Sequence, residues 1–148
     1  METFNDIKLS KQIAKSLNEL GFVKPTPIQA KTIPLLMDSN NDLIGSAQTG
    51  TGKTAAFGIP SIHLTDLSDS RTQTLILCPT RELCMQVTSD IKTYSKYVDN
   101  LGVVPIYGGA SMEVQIRAIK KRSQIVVGTP GRTKDLLKRK KLFIDRVE

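Results

Sequence analysis

The residues best suited to chemistry in this chain are Ala47-Gln48-Thr49-Gly50-Thr51-Gly52-Lys53-Thr54, which come directly after the apolar pair Leu43-Ile44 and two small residues. Two glycines in such a run let the backbone turn tightly enough to aim several N–H donors at one anion, and a helix starting near Lys53 adds the positive end of its dipole. Lys53 would then place a point charge on the β- and γ-phosphates of a nucleotide. The Thr54 hydroxyl would be a ligand for a bridging Mg²⁺. The generic pattern G-x-x-x-x-G-K-[ST] fails at its first position, where Ala47 stands, while Gly-x-Gly-Lys-Thr is intact. The alternative is a solvent-exposed Gly/Thr turn that binds nothing.

With 148 residues, 39% of them hydrophobic, the chain suits one domain with a core. No stretch approaches the ~18 apolar residues of a membrane span, and Glu2, Asp6, Lys8, Lys11 and Lys15 interrupt any signal-like run. A cytoplasmic protein without a membrane partner is expected. Cys78 and Cys84 match neither a redox pair nor a zinc site and read as small buried thiols. His63 has no partner pattern. The net charge of +7 is uneven: residues 1–111 hold ten basic and ten acidic side chains, and residues 112–148 hold eleven against four. Such an excess suits a polyanion partner, or equally a solvated helix face.

The elements that must position these groups alternate. Ile13, Ala14, Leu17 and Leu20 form a helical stripe ended by Gly21. A second helix is expected to start with Thr26 as N-cap and Pro27 at its first position, with Pro34 kinking or shortening it. Short, largely apolar runs at 42–46, 74–78, 103–107 and 124–128 read as strands covered on both faces. Helices are expected over 53–63, 81–97, 111–121 and 132–139, giving βαβ crossovers and an α/β fold. In such sheets ligands bind beyond the carboxyl ends of the strands. The segments leaving those ends are therefore informative: the phosphate loop, then Pro79-Thr80-Arg81-Glu82-Leu83, then Gly108-Gly109, then Thr129-Pro130-Gly131-Arg132. All four are expected on one edge. The last three offer small residues, hydroxyls, arginines and helix N-termini, the groups that contact a phosphodiester backbone without reading bases.

In this order the motifs resemble the N-terminal RecA-like lobe of a DEAD-box ATP-dependent RNA helicase. The family's Q motif matches Gly21-Phe22-Val23-Lys24-Pro25-Thr26-Pro27-Ile28-Gln29, with an isolated aromatic, Phe4, seventeen residues ahead of Gly21. The phosphate loop matches with Ala at its first position, as the family has it. Pro79 to Leu83, Gly108-Gly109 and Thr129 to Arg132 match three further motifs. The resemblance implies a P-loop NTPase fold with a parallel sheet flanked by helices, incomplete at its C-terminus. It implies a Q-motif helical segment over 1–36 and βα repeats over 42–148.

It also implies roles. ATP would be held by Phe4, Phe22, Lys24, Thr26, Gln29, Gln48, Thr49, Gly50, Thr51, Gly52, Lys53, Thr54 and Ala55, with Gln29 reading the adenine edge and Phe4 stacking on it. Lys53 and Thr54 would carry the catalytic contribution, Thr54 through Mg²⁺. Pro79, Thr80, Arg81, Gly108, Gly109, Thr129, Gly131 and Arg132 would line an RNA backbone. Arg81 has an alternative, an ion pair with Glu82.

The chain ends at Asp145-Arg146-Val147-Glu148, ahead of the Asp-Glu-Ala-Asp element the family uses for Mg²⁺ and the attacking water. Leu142-Phe143-Ile144-Asp145 imitates such an element and is read as a decoy. The expectation is a fragment that binds ATP weakly, hydrolyses almost none, lacks its second lobe, and is prone to self-association through an open sheet edge. Two rivals stand beside this: a P-loop NTPase of another kind with Asp145 as its Mg²⁺ acid, and a natural RNA-binding module.

Overall fold

The computed structural model describes all residues from Met1 to Glu148. Two compact units emerge, one of residues 1–64 and 90–98, the other of residues 65–89 and 99–148.

In the first unit a short 3-10 turn, Phe4–Asp6, precedes α1 (Lys11–Glu19), α2 (Pro27–Asp38) and α3 (Lys53–Leu64). Local chemistry sets these boundaries. The Ser10 hydroxyl accepts from the Ile13 N–H at 3.3 Å at the start of α1, and Gly21 lies just past its end with φ +74. Thr26 is the N-cap of α2 and Pro27 its first residue, as expected. Pro34 lies inside α2 without ending it, and the helix continues to Asp38. The core gathers Ile13, Leu17, Ile33, Ala55, Ile59, Ile62 and Ile91, each no more than 3% exposed. Each large apolar side chain buried in this way contributes about 1.5–3 kcal/mol.

The second unit holds β1 (Thr74–Leu77), β2 (Val103–Ile106), α5 (Met112–Lys121), β3 (Ile125–Gly128) and α6 (Pro130–Lys138). Between β1 and β2 runs α4 (Arg81–Tyr94), whose residues from Asp90 onward belong to the first unit. The three strands form a parallel sheet in the order β1-β3-β2, with Leu77 and Ile106 both level with Gly128. Central β3 is buried throughout, which explains its unbroken apolar sequence. Val104, Ile106, Val126, Leu136 and Leu142 make the core on one side, packed against Leu75, Met112, Ile116 and Ile119. Gly128 is required where β3 ends, because a Cβ there would lie 2.3 Å from Thr133 Oγ1 and 2.7 Å from Ile106 Cγ1.

The α/β class and three strands match the sequence reading; the expected strand at 42–46 does not form. Its residues pair with no ladder and Ile44 is fully exposed, and without a neighbour for its backbone groups an apolar run gains nothing by extending. Helix ends also shift: α4 stops at Tyr94 rather than residue 97, and α6 begins at Pro130 rather than Arg132. Leu142 to Asp145 form no strand; Leu142 is buried while Phe143 and Ile144 are exposed.

Candidate functional site

The phosphate loop lies in the first unit. Gly50 and Gly52 take φ values of +79 and +81, left-handed conformations that glycine adopts at little cost. The Lys53 ammonium donates to the Ala47 carbonyl at 2.7 Å and so sits across the mouth of the loop, while Lys53 itself remains exposed as the first residue of α3. Gln48, Thr49 and Gly50 are exposed, Thr51 and Thr54 half-buried, and Ala55 fully buried under the loop.

The segment expected to read a nucleobase is tied directly to this loop. Gln29, 3% exposed, donates through Nε2 to the Gly52 carbonyl at 3.1 Å and accepts from the Thr26 N–H through Oε1 at 3.0 Å. The Thr26 side chain in turn faces the Gln29 backbone N–H, closing a capping box at the start of α2. The glycine-rich loop, the Lys53 ammonium and the buried Gln29 amide form the kind of donor set that phosphates and a base edge would need. Lys24 is exposed close by in sequence. Phe4 is packed inward: its ring lies 5.6 Å from that of Phe22, which lies 5.7 Å from that of Tyr94. Only 7% of Phe4 remains exposed, so a base stacking on it would displace part of this contact. Burial, with the nearby Asp90 charge, pushes the Tyr94 phenol up to about 12.

The second unit brings the other motifs together. Because Leu77, Ile106 and Gly128 are level, the segments after β1, β2 and β3 leave one edge of the sheet, with neighbouring strands about 4.8 Å apart. Pro79, Thr80, Arg81, Gly108, Gly109 and Gly131 are exposed there, and Thr129 and Arg132 half-buried. The Thr80 hydroxyl accepts from the Leu83 N–H at 3.2 Å, opening α4, and Thr129 is the N-cap of α6. Two helix N-termini thus present positive dipole ends beside two arginines.

Arg81 forms no ion pair with Glu82; its guanidinium lies 4.9 Å from the centre of the Tyr107 ring. Stacking over an aromatic leaves the charge open to solvent, whereas an adjacent carboxylate would have neutralised it. Arg132 is the third residue of α6 rather than its first, and donates to the Ala110 carbonyl at 3.2 Å and to Gln115 Oε1 at 2.9 Å. Sequence reasoning missed Tyr107 and Gln115. The available signal was a polar residue, Gln115, on the helical stripe that Met112, Ile116 and Ile119 otherwise fill with apolar side chains.

The basic excess lies elsewhere. Lys120 and Lys121 end α5 with Arg122 just past it, and Lys138 ends α6 with Arg139, Lys140 and Lys141 just past it; both helices begin at the rim and run about 15 Å away from it. Asp145 is paired with Arg71 at 3.5 Å. Cys78 and Cys84 are buried and unbridged, and burial pushes both thiols up; Cys84 Sγ donates to the Val127 carbonyl at 3.1 Å.

A family model described as DEAD/DEAH box helicase matches residues 26–148. ATP-dependent RNA helicase CshA of Listeria monocytogenes is 50% identical over 148 residues, covering 100% of this chain and 28% of that protein. ATP-dependent RNA helicase DeaD of Escherichia coli K12 is 46% identical over 145 residues, 98% of this chain and 23% of its own length. Among solved structures, a DEAD box protein from Methanococcus jannaschii superposes with a TM-score of 0.92 at 41% identity, covering 99% of this chain and 39% of that one. Saccharomyces cerevisiae Dbp5 bound to RNA and ADP BeF3 superposes with a TM-score of 0.88 at 28% identity, covering 100% of this chain and 37% of that one. The chain therefore spans about a quarter of the curated relatives it matches. On the family match, the whole-chain identity and the shared RecA-like architecture, this chain belongs to the DEAD/DEAH box helicases.

Proposed function

We propose that the chain is the ATP- and RNA-backbone-binding lobe of an ATP-dependent, cytoplasmic RNA helicase that locally unwinds RNA duplexes. The single observation that carries this is the bond from Gln29 to the Gly52 carbonyl, which couples a base-reading amide to a phosphate-gripping loop. Gln29 would orient on the adenine edge and Phe4 would stack on the base, with Phe22, Lys24 and Thr26 contributing to the nucleotide site. The N–H groups from Gln48 to Lys53 would hold the phosphates, and Lys53 would leave the Ala47 carbonyl to neutralise the terminal ones. Thr54 would hold Mg²⁺ through its hydroxyl, and the ion would supply charge stabilisation at the phosphates.

On the rim of the second unit, Arg81 and Arg132 and the donors near Thr80, Gly109, Thr129 and Gly131 would grip successive phosphates. Such contacts carry affinity without sequence preference. A second RecA-like lobe would complete the hydrolytic site. The chain by itself would bind ATP weakly and hydrolyse almost none, and the unpaired outer edge of β1 would favour its self-association.

The experiment is nucleotide competition. ATP is expected to displace a fluorescent ATP analogue far better than GTP, and Gln29→Ala to erase that preference. Equal ATP and GTP affinity in the unaltered protein would favour a P-loop NTPase of another kind.

A further inference from the structure

We infer that Gln115 is a positioning residue for RNA binding, one amide that sets both the Arg132 guanidinium and the glycine-bearing loop after β2. The inference rests on reading the rim as the RNA-backbone site. Gln115 is 6% exposed, and both ends of its side chain are used: Nε2 donates to the Tyr107 carbonyl at 3.0 Å, and Oε1 accepts from Arg132 Nη1 at 2.9 Å. Arg132 in turn donates through both terminal nitrogens to the Ala110 carbonyl, at 3.2 and 3.3 Å. The loop of residues 107–110 is therefore held at its first and last carbonyls by one linked pair of side chains.

The same loop fixes the other arginine. The Tyr107 ring lies under the Arg81 guanidinium, and a Cβ on Gly109, whose φ is +79, would stand 3.4 Å from Arg81 Nη1. Gln115 is itself buried, yet each rim arginine rests on the loop segment it anchors. Charge-assisted bonds need donors held at fixed angles, and an arginine released from its acceptors would lose rotamer freedom on every binding event.

The experiment measures binding of a fluorescein-labelled single-stranded oligouridylate to the chain of residues 1–148 across a salt series, with melting temperatures taken in parallel. Gln115→Met fills the same volume and removes both hydrogen bonds; it is expected to weaken binding by about tenfold, the equivalent of one lost hydrogen bond to a charged group. It should also flatten the salt dependence toward that of Arg132→Ala, whose slope falls by about 1. The losses in the double variant should fall short of the sum of the two single losses, because both changes remove the Gln115–Arg132 contact while only Gln115→Met also frees the Tyr107 carbonyl. Gln115→Glu keeps an acceptor for Arg132 but adds a negative charge and no donor for Tyr107, and should bind RNA less well than Gln115→Met at low salt. A Gln115→Met protein that melts normally and keeps the unaltered affinity and slope, while Arg132→Ala loses both, overturns the inference alone; so does full additivity in the double variant. Unchanged affinity in Arg132→Ala overturns the rim reading itself.

Discussion

Gln29 Nε2 donates to the Gly52 carbonyl at 3.1 Å, and a Cβ at position 52 would stand 2.2 Å from that same nitrogen. The phosphate loop and the buried glutamine are thus fitted to each other with no room for a side chain between them. Gly52→Ala must move either the loop or Gln29, and adds about 1–3 kcal/mol of backbone strain at φ +81. ATP affinity is expected to fall by at least about tenfold. Titration of a fluorescent ATP analogue checks this, and an unchanged dissociation constant would mean that the loop binds in another conformation.

Lys53 makes one hydrogen bond, to the Ala47 carbonyl, and is otherwise exposed. Lys53→Ala should therefore change folding stability by no more than about 0.5 kcal/mol. Its effect on nucleotide binding should grow with the number of phosphates, being large for ATP and small for AMP. Calorimetric titration of the two ligands separates these. Equal losses would show that the ammonium does not address the terminal phosphates.

Asp69 accepts from Arg71 through both carboxylate oxygens, with Nη2 at 2.7 Å, and from Arg146 Nε at 3.2 Å. The Arg71 guanidinium, first among the causes, holds the carboxyl well below the usual carboxylate range. A folded-state value depressed below the unfolded 3.8 means stability that is fully present above that pH and is lost progressively as acidification proceeds below it toward the folded-state value. Asp69→Asn should be less stable at neutral pH and should show a shallower acid loss. Urea midpoints measured from neutral pH down to about pH 3 report this, and parallel curves for the two proteins would refute it.

Tyr94 gives the opposite sign. Its phenol rises from 10.0 to about 12 because the neutral form is favoured by burial, so its contribution is complete below the unfolded value and lost as pH climbs between the two. Tyr94→Phe retains the ring beside Phe22 and should resist alkaline unfolding in that window. Circular dichroism against pH is the measurement, and an unaltered alkaline transition would assign it to another group.

Where local chemistry suffices, the structure agrees closely with the sequence. Thr26, Pro27 and Gly21 mark helix ends through backbone geometry that depends on few neighbours, and Ile125 to Gly128 carries its burial in its composition. The glycine turn ahead of α3 is legible for the same reason, since Gly50 and Gly52 take positive φ values within one turn of chain before Lys53. Pro34 shows a limit: a proline in the middle of α2 costs one hydrogen bond, and burial of Ile33 on the adjoining face carries the helix past it.

The sequence by itself determined the α/β class, the starts of α2, α3 and α4, and three of its four expected strands. The tertiary structure alone decided that residues 42–46 stay irregular, that Arg81 stacks on Tyr107 instead of pairing with Glu82, that Gln115 braces Arg132, and that the basic excess lies away from the rim. The physical reason is common to all four. A strand, a stacked cation, a buried amide and a charged surface are each defined by partners distant along the chain, and only folding chooses those partners.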